Sequence, residues 1–154
     1  MYINEPLLHY TIVILNKFCG RFIIYNFYAY NKRNEALCYS LKTFEANPKI
    51  QSVILSSTNP KIFSAGLDIT ELVAPDNDRL PRFWNSLQQV YIDLYGSRLA
   101  TVAAIQGHAP AAGCFLAMSC DYRVMSAGDT NSDIKKKHVA TIGLNETQLG
   151  IAGE

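Results

Sequence analysis

This chain of 154 residues is short of most features that mark a ligand chemistry at sight. It has four cysteines (Cys19, Cys38, Cys114 and Cys120), and no pair has CxxC spacing. That argues against a zinc site or a disulfide framework and for buried free thiols. The three histidines, His9, His108 and His138, are scattered, and no metal site is expected. A satisfied or exposed ring is the plain reading of His108. Glycines are few and fit neither GxGxxG nor a P-loop, which argues against nucleotide phosphate binding of those kinds. No local motif gives Ser64 a base, so a Ser-His-Asp order has no support. The formal net charge is +1, which gives no electrostatic case for nucleic acid or an anionic membrane. No internal repeat is visible.

Long apolar runs are also missing. Residues 7–30 are rich in apolar and aromatic side chains, but Asn16, Lys17, Arg21 and Asn26 interrupt them. No uninterrupted stretch reaches the roughly 20 residues a bilayer span needs. Glu5 precedes any Lys or Arg, unlike the basic start of a secretory signal. One Arg and no Ser in residues 7–30 is unlike a mitochondrial transit peptide. Local pattern leaves this segment between β-strand and no defined structure.

From residue 34 onward the order of elements is readable. Residues 34–46 have a helical stripe of Leu37, Leu41 and Phe44, with Pro48 beyond its end. Val53-Ile54-Leu55 suits a buried parallel strand, and Asn59-Pro60 marks the turn after it. Asp68 and Glu71 have capping-box spacing, so a helix is expected from Ile69, with Asp68 as its cap. Residues 74–79 read as a polar loop. Pro81 suits a first helical turn, and the run from Phe83 through Leu87, Tyr91 and Leu94 keeps helical spacing up to Gly96. Ala100–Ile105 reads as a strand, 107–112 as a turn, 113–119 as a short helix and Tyr122–Met125 as a strand. Residues 127–138 read as an exposed polar loop. Short apolar strands alternating with helices predict an α/β fold.

Three stretches carry chemistry. Phe63-Ser64-Ala65-Gly66-Leu67-Asp68-Ile69 and Gly107-His108-Ala109-Pro110-Ala111-Ala112-Gly113-Cys114 are small-residue turns that expose backbone N–H groups at helix starts. Brought together, two such turns can hold a carbonyl oxygen that becomes negative during a reaction. Gly66 leaves the Leu67 amide uncluttered. Ala111, Ala112 and Gly113 do the same for the second turn, and a helix starting near Gly113 adds its positive end. The third stretch, Gly143-Leu144-Asn145-Glu146-Thr147-Gln148-Leu149-Gly150, offers one carboxylate among Ile142, Leu144, Leu149 and Ile151. Burial there would raise the Glu146 pKa toward neutrality, as a proton shuttle needs. The set fits an enzyme that takes a proton from the carbon next to a thioester.

At these residues, and at Cys120-Asp121-Tyr122-Arg123, the chain resembles the crotonase superfamily of acyl-CoA enzymes, and within it the mitochondrial Δ3,Δ2-enoyl-CoA isomerases. The resemblance covers roughly residues 34–151, with a gap at 127–141. It implies an α/β crotonase-like core of repeated ββα units that lacks the C-terminal helical part. Residues 1–33 stand as an atypical N-terminal segment before a partial acyl-CoA domain at 34–154. It further implies that Leu67 and Ala112 donate the oxyanion-hole N–H groups and that Glu146 is the catalytic carboxylate. Ala65, Gly66, Asp68, Ile69, Arg79, Arg82 and Asn145 would contact substrate. No cofactor is implied, because coenzyme A belongs to the substrate. Location in the mitochondrial matrix follows from the resemblance alone. Hydratases of this superfamily carry a second glutamate just after the Gly-Cys of the second turn, where this chain has Phe115. One carboxylate favours moving a double bond over adding water.

The resemblance also has departures. Residues 1–30 do not resemble the family's opening strands and hairpin. Ala112 replaces a frequent Gly, which is tolerable at negative φ and costly at positive φ. The chain stops at Glu154, where the family continues with helices that close the site and build trimer contacts. Loss of trimer contacts and uncovered apolar surface are therefore expected. The alternative to an isomerase is a catalytically inactive fragment that at most binds acyl-CoA or a partner subunit. A hydratase or thioester hydrolase is a third reading.

Overall fold

The computed structural model describes residues 10–16, 23–26, 33–67, 75–127 and 139–145, with side chains from residue 34 onward. The first two segments are strands, β1 (Tyr10–Asn16) and β2 (Ile23–Asn26), paired antiparallel. The sequence had left this region between strand and no structure. Its pairing is decided by a distant partner, since β1 also runs antiparallel along β3 (Ile50–Ser57).

Helix α1 (Arg33–Glu45) lies between them in sequence and buries Leu41 and Phe44 as its stripe predicts. β3 then pairs in parallel with β4 (Ala100–Ile105), and β4 with β6 (Tyr122–Met125). The sheet order is β2-β1-β3-β4-β6. Helix α2 (Arg79–Tyr95) is the crossover between β3 and β4 and packs on α1. It starts at Arg79 with Pro81 in its first turn, as expected, and the Asp76 carboxylate just before it accepts the N–H groups of Asp78 and Arg79, both at 2.9 Å. Those two bonds hold the Asp76 carboxyl below its ordinary range, with Arg79 and Arg82 adding to the effect.

The core lies between the helices and the sheet. Leu41 and Phe44 of α1, Val90 and Leu94 of α2, and Val53 and Leu55 of β3 belong to one buried cluster. Polar pairs fix the helices above it: Asn34 Nδ2 donates to Ser86 Oγ (3.0 Å), and Lys42 Nζ lies 3.4 Å from Asp93 Oδ2. Arg98 closes the end of α1. Its Nε–H donates to the Glu45 carbonyl (2.8 Å), and its Nη groups reach the carbonyls of Asn47 (2.9 Å), Ile50 (3.2 Å) and Phe44 (3.3 Å). These carbonyls lie at or just past the helix end, where the chain itself supplies few donors.

A second, smaller ladder pairs β5 (Ala109–Pro110) in parallel with β7 (Ile142–Gly143). The stretch expected to be only a turn therefore contains a strand. On its other side β5 meets the segment after β3: His108 N–H donates to the Lys61 carbonyl (2.8 Å), and the His108 carbonyl accepts Phe63 N–H (2.8 Å) and Ser64 N–H (3.3 Å). Pro110 has no N–H, so it cannot continue this ladder. The first turn departs there.

Cysteines Cys38, Cys114 and Cys120 are free and buried, as expected, and Cys19 lies outside the described residues. No described helix is long and apolar enough to cross a membrane. Edge strand β6 leaves Tyr122 and Val124 exposed, with Met118 exposed nearby in sequence, so apolar surface is uncovered at this edge.

Candidate active site

The two small-residue turns meet. Gly66 adopts φ +96°, and a Cβ placed on it would stand 3.4 Å from Ala111 Cβ, 3.5 Å from the Pro110 carbonyl oxygen and 3.7 Å from the Ala112 amide nitrogen. Only glycine holds that φ without strain. The Leu67 nitrogen is two bonds from Gly66 Cα, so the Leu67 and Ala112 amides share one neighbourhood. Among the described residues neither amide donates to a backbone acceptor.

A second contact clamps the junction. A Cβ on Gly113 would fall 2.8 Å from the Ser64 carbonyl oxygen and 2.9 Å from Ser64 Cβ. Ser64 and Gly113 are both buried. The turns therefore pack backbone against backbone, and small residues at 66 and 113 are the reason they can.

Helix α3 (Ala112–Met118) starts in the second turn. Positive φ occurs at Ala111 (φ 49°, ψ −124°) and not at Ala112. The methyl group at position 112 thus carries no backbone penalty; the strain lies one residue earlier. A non-glycine residue held in a sparsely populated region of this kind costs ~1–3 kcal/mol. Its neighbours hold it: the Ala111 N–H donates to the Gly143 carbonyl (2.8 Å), and the Ala111 carbonyl accepts the Phe115 N–H (3.1 Å).

The first of these bonds ties the third stretch to the second turn. Ala109 N–H also donates to the Thr141 carbonyl (2.8 Å). β7 is followed at once by Leu144 and Asn145. Asn145 Oδ1 is buried and, among the described residues, has no hydrogen-bond partner. Ile142 and Leu144 are 40% and 61% exposed, so these two apolar neighbours do not make the dry setting expected around the carboxylate. Glu146 itself lies outside the described residues, as do Asp68 and Ile69.

The other expected residues are placed as follows. Ala65 is exposed, beside the Gly66 junction. Arg79 and Arg82 are exposed at the start of α2, close enough to Asp76 to depress its pKa. His108 is a satisfied histidine: its Nδ1 accepts the Thr141 N–H (3.2 Å) and lies 2.8 Å from Thr141 Oγ1.

Phe115 has a partner that sequence spacing did not reveal. Its ring stacks on Tyr91 of α2 at 5.2 Å between centroids, and Tyr91 stacks on Tyr95 at 5.5 Å. The Cys-Asp-Tyr-Arg stretch is structural. Asp121 Oδ2 accepts the Thr101 N–H (2.7 Å) and Oγ1–H (3.0 Å), which pins the start of β4. Arg123 Nη1 donates to the Cys120 carbonyl (2.7 Å) just beyond the end of α3.

An α/β sheet with a smaller ladder, two interlocked small-residue turns and a third stretch tied to the second turn define the class, an α/β fold of the crotonase type. Residues 31–154 match the family described as "Enoyl-CoA hydratase/isomerase", and the chain belongs to that family, the crotonase family. It is 40% identical over 115 residues to human mitochondrial enoyl-CoA delta isomerase 1, covering 75% of this chain and 35% of the relative. Identity to the mouse protein of that name is 44% over 112 residues, covering 73% and 36%. Identity to mouse mitochondrial methylglutaconyl-CoA hydratase is 30% over 115 residues, covering 75% and 33%. The crystal structure of human mitochondrial delta3-delta2-enoyl-CoA isomerase superposes with a TM-score of 0.76 at 32% identity, over 94% of this chain and 54% of that one. The chain thus spans about a third of the length of these curated relatives.

Proposed function

We propose that this chain binds the CoA thioester of a 3-enoyl acid and moves its double bond to the 2-trans position, with the Leu67 and Ala112 amides on the thioester oxygen and Glu146 carrying the proton from C2 to C4. The observation that supports the reading is the Gly66 junction, where the two turns pack against each other and, among the described residues, neither the Leu67 nor the Ala112 amide has a backbone acceptor. Loss of a proton next to a thioester puts negative charge on the thioester oxygen. Preset donors act on that charge, and one such donor contributes ~3–4 kcal/mol in well-studied cases.

Glu146 follows Gly143 by three residues, a span of at most ~11 Å of extended chain. The Gly143 carbonyl accepts the Ala111 N–H, and this nearness in sequence to a residue tied to the second turn supports the assignment of Glu146. Phe115, occupied by packing on Tyr91, leaves no second carboxylate at the position that water addition would use. Asn145 Oδ1, buried without a donor among the described residues, is an acceptor open to a ligand N–H. Ala65, Gly66, Asp68 and Ile69 would flank the coenzyme A moiety, and Arg79 or Arg82 would meet a phosphate. The mitochondrial relatives support a place in the matrix and in fatty acid β-oxidation.

The test is purified full chain with a 3-enoyl-CoA. Formation of the conjugated 2-enoyl product, abolished by Glu146→Gln, supports the proposal. Binding of the thioester with no turnover would reduce the function to acyl-CoA binding. Incorporation of water into product would point to a hydratase or hydrolase.

A further inference from the structure

Resting on the reading above, we propose that Gly107 is a positioning residue for the reaction: the backbone crossing it permits fixes the angle at which the two turns present their amides to the developing enolate. Gly107 is buried, and among the described glycines it comes closest to its neighbours. A Cβ on it would fall 2.0 Å from the Lys61 carbonyl carbon, 2.2 Å from the Lys61 oxygen and 2.3 Å from the Ile62 nitrogen. All three are backbone atoms. Gly107 is not held at positive φ, so alanine would suit its backbone and space alone forbids it.

The crossing lies at the base of both turns. From Lys61 the chain runs through Phe63 and Ser64 to Gly66 and Leu67, and from Gly107 it runs through His108 to Ala111 and Ala112. The His108 bonds to Lys61, Phe63 and Ser64 join the two paths just beyond it, and Ile62 bridges His108 in parallel. Farther along, Gly113 meets Ser64. One contact between two turns sets their separation but leaves a pivot. Contacts at Gly107 and again at Gly113 remove the pivot. Donors aimed at an oxyanion act on the enolate more than on the resting thioester, so an angle set at Gly107 matters for enolate stability more than for thioester affinity.

The experiment compares acetoacetyl-CoA with butanoyl-CoA on the full chain and needs no turnover. The C2–H of acetoacetyl-CoA lies between two carbonyls. Its proton passes to buffer, the electron pair settles on the oxygens, and the enolate absorbs in the near ultraviolet. The wild-type chain is expected to hold more of this ligand as enolate than buffer does at the same pH. An ordinary carbon–carbon contact is ~3.5–4.0 Å, so Gly107→Ala must part the two segments by more than ~1 Å. Misplacement of that size can cost about a hundredfold. The ratio of bound enolate to bound keto form should fall by at least about tenfold, while butanoyl-CoA affinity by calorimetry stays within about twofold. A merely structural role would reduce the number of competent molecules and leave that ratio unchanged in those that bind. Asn59→Ala is the milder variant. Asn59 Oδ1 accepts the Lys61 N–H (2.9 Å) and its N–H donates to Ser57 Oγ (3.1 Å), so this side chain guides the chain into the crossing. Its loss should lower the enolate ratio in the same direction without a clash.

A wild-type enolate ratio in folded Gly107→Ala, or equal losses in that ratio and in butanoyl-CoA affinity, overturns the proposal. Should Gly107→Ala not fold, Asn59→Ala decides, and an unchanged ratio there overturns it. Enolate formed by the wild-type chain and lost in the variants, in protein that converts no 3-enoyl-CoA, upholds the positioning role and sinks the isomerase reading. A wild-type chain that binds neither thioester, or binds acetoacetyl-CoA with no gain in enolate, overturns both.

Discussion

Gly113→Ala tests the central contact of the site. The added Cβ would stand 2.8 Å from the Ser64 carbonyl oxygen, a backbone atom that cannot rotate away. An ordinary carbon–oxygen contact is ~3.3 Å or longer, so the first turn must retreat from the second by about half an ångström. Overpacking of this kind costs ~1–3 kcal/mol, and alanine for glycine in a helix recovers up to ~1 kcal/mol. The net loss is about 1–2 kcal/mol, which at a urea slope of ~1.5 kcal/mol/M lowers the midpoint by roughly 1 M. The same retreat separates the two amides. Misplacement by ~1 Å can cost about a hundredfold in rate, so half that distance predicts a kcat lower by roughly tenfold. Urea unfolding and single-substrate kinetics on 3-enoyl-CoA read the two effects. Gly143→Ala is the control, because a Cβ there meets nothing within 4 Å. If Gly113→Ala matched Gly143→Ala in both midpoint and kcat, the turns would not be clamped together as described.

Three further outcomes follow from single contacts. Ala111→Gly removes the strain of φ 49° and should raise stability by about 1 kcal/mol after the added freedom of the unfolded chain is counted, seen as a higher urea midpoint; a lower midpoint would show that the strain is absent. Arg98→Met keeps the stem but drops the donors at the end of α1, and a loss of about 1–2 kcal/mol is expected in thermal or urea unfolding. Burial, helped by the Asp93 carboxylate, pushes the Cys38 thiol up to about 12, and burial with Asp121 pushes Cys120 up to about 11. Both thiols should therefore resist iodoacetamide at pH 8 to 9 in the native state and react only on unfolding, as mass spectrometry of trapped peptides would show.

Much of the scaffold was legible because it follows local rules. Val53-Ile54-Leu55 is a short apolar run and Ala100–Ile105 is apolar but for Thr101, and both form strands of the parallel part of the sheet, most deeply buried at alternate residues. Gly66 was readable for the same reason, since a turn at positive φ asks for glycine. What escaped notice depends on partners distant in the chain. Arg98 caps α1 across about 50 residues, and nothing in its neighbourhood of sequence announces that. The strain at Ala111 is written in an alanine, a residue with no preference for positive φ, and only the bonds to Gly143 and Phe115 reveal it. β1 finds its distant partner in β3 and β2 pairs in turn with β1, so interrupted apolar spacing within residues 7–30 could not decide their structure.

The position of Phe115 shows why reaction type is a property of packing as well as of residue identity. Read in sequence, it is a place where a carboxylate is missing. In the structure it is a ring committed to Tyr91, and aromatic pairs of this kind contribute ~0.5–1.5 kcal/mol beyond the area they bury. A glutamate introduced there would lose that stack and set a carboxylate against the face of Tyr91, where partial burial raises its pKa and favours the neutral form. Water addition needs a nucleophile held between two acid/base groups, so a single substitution would supply the atom type without its setting.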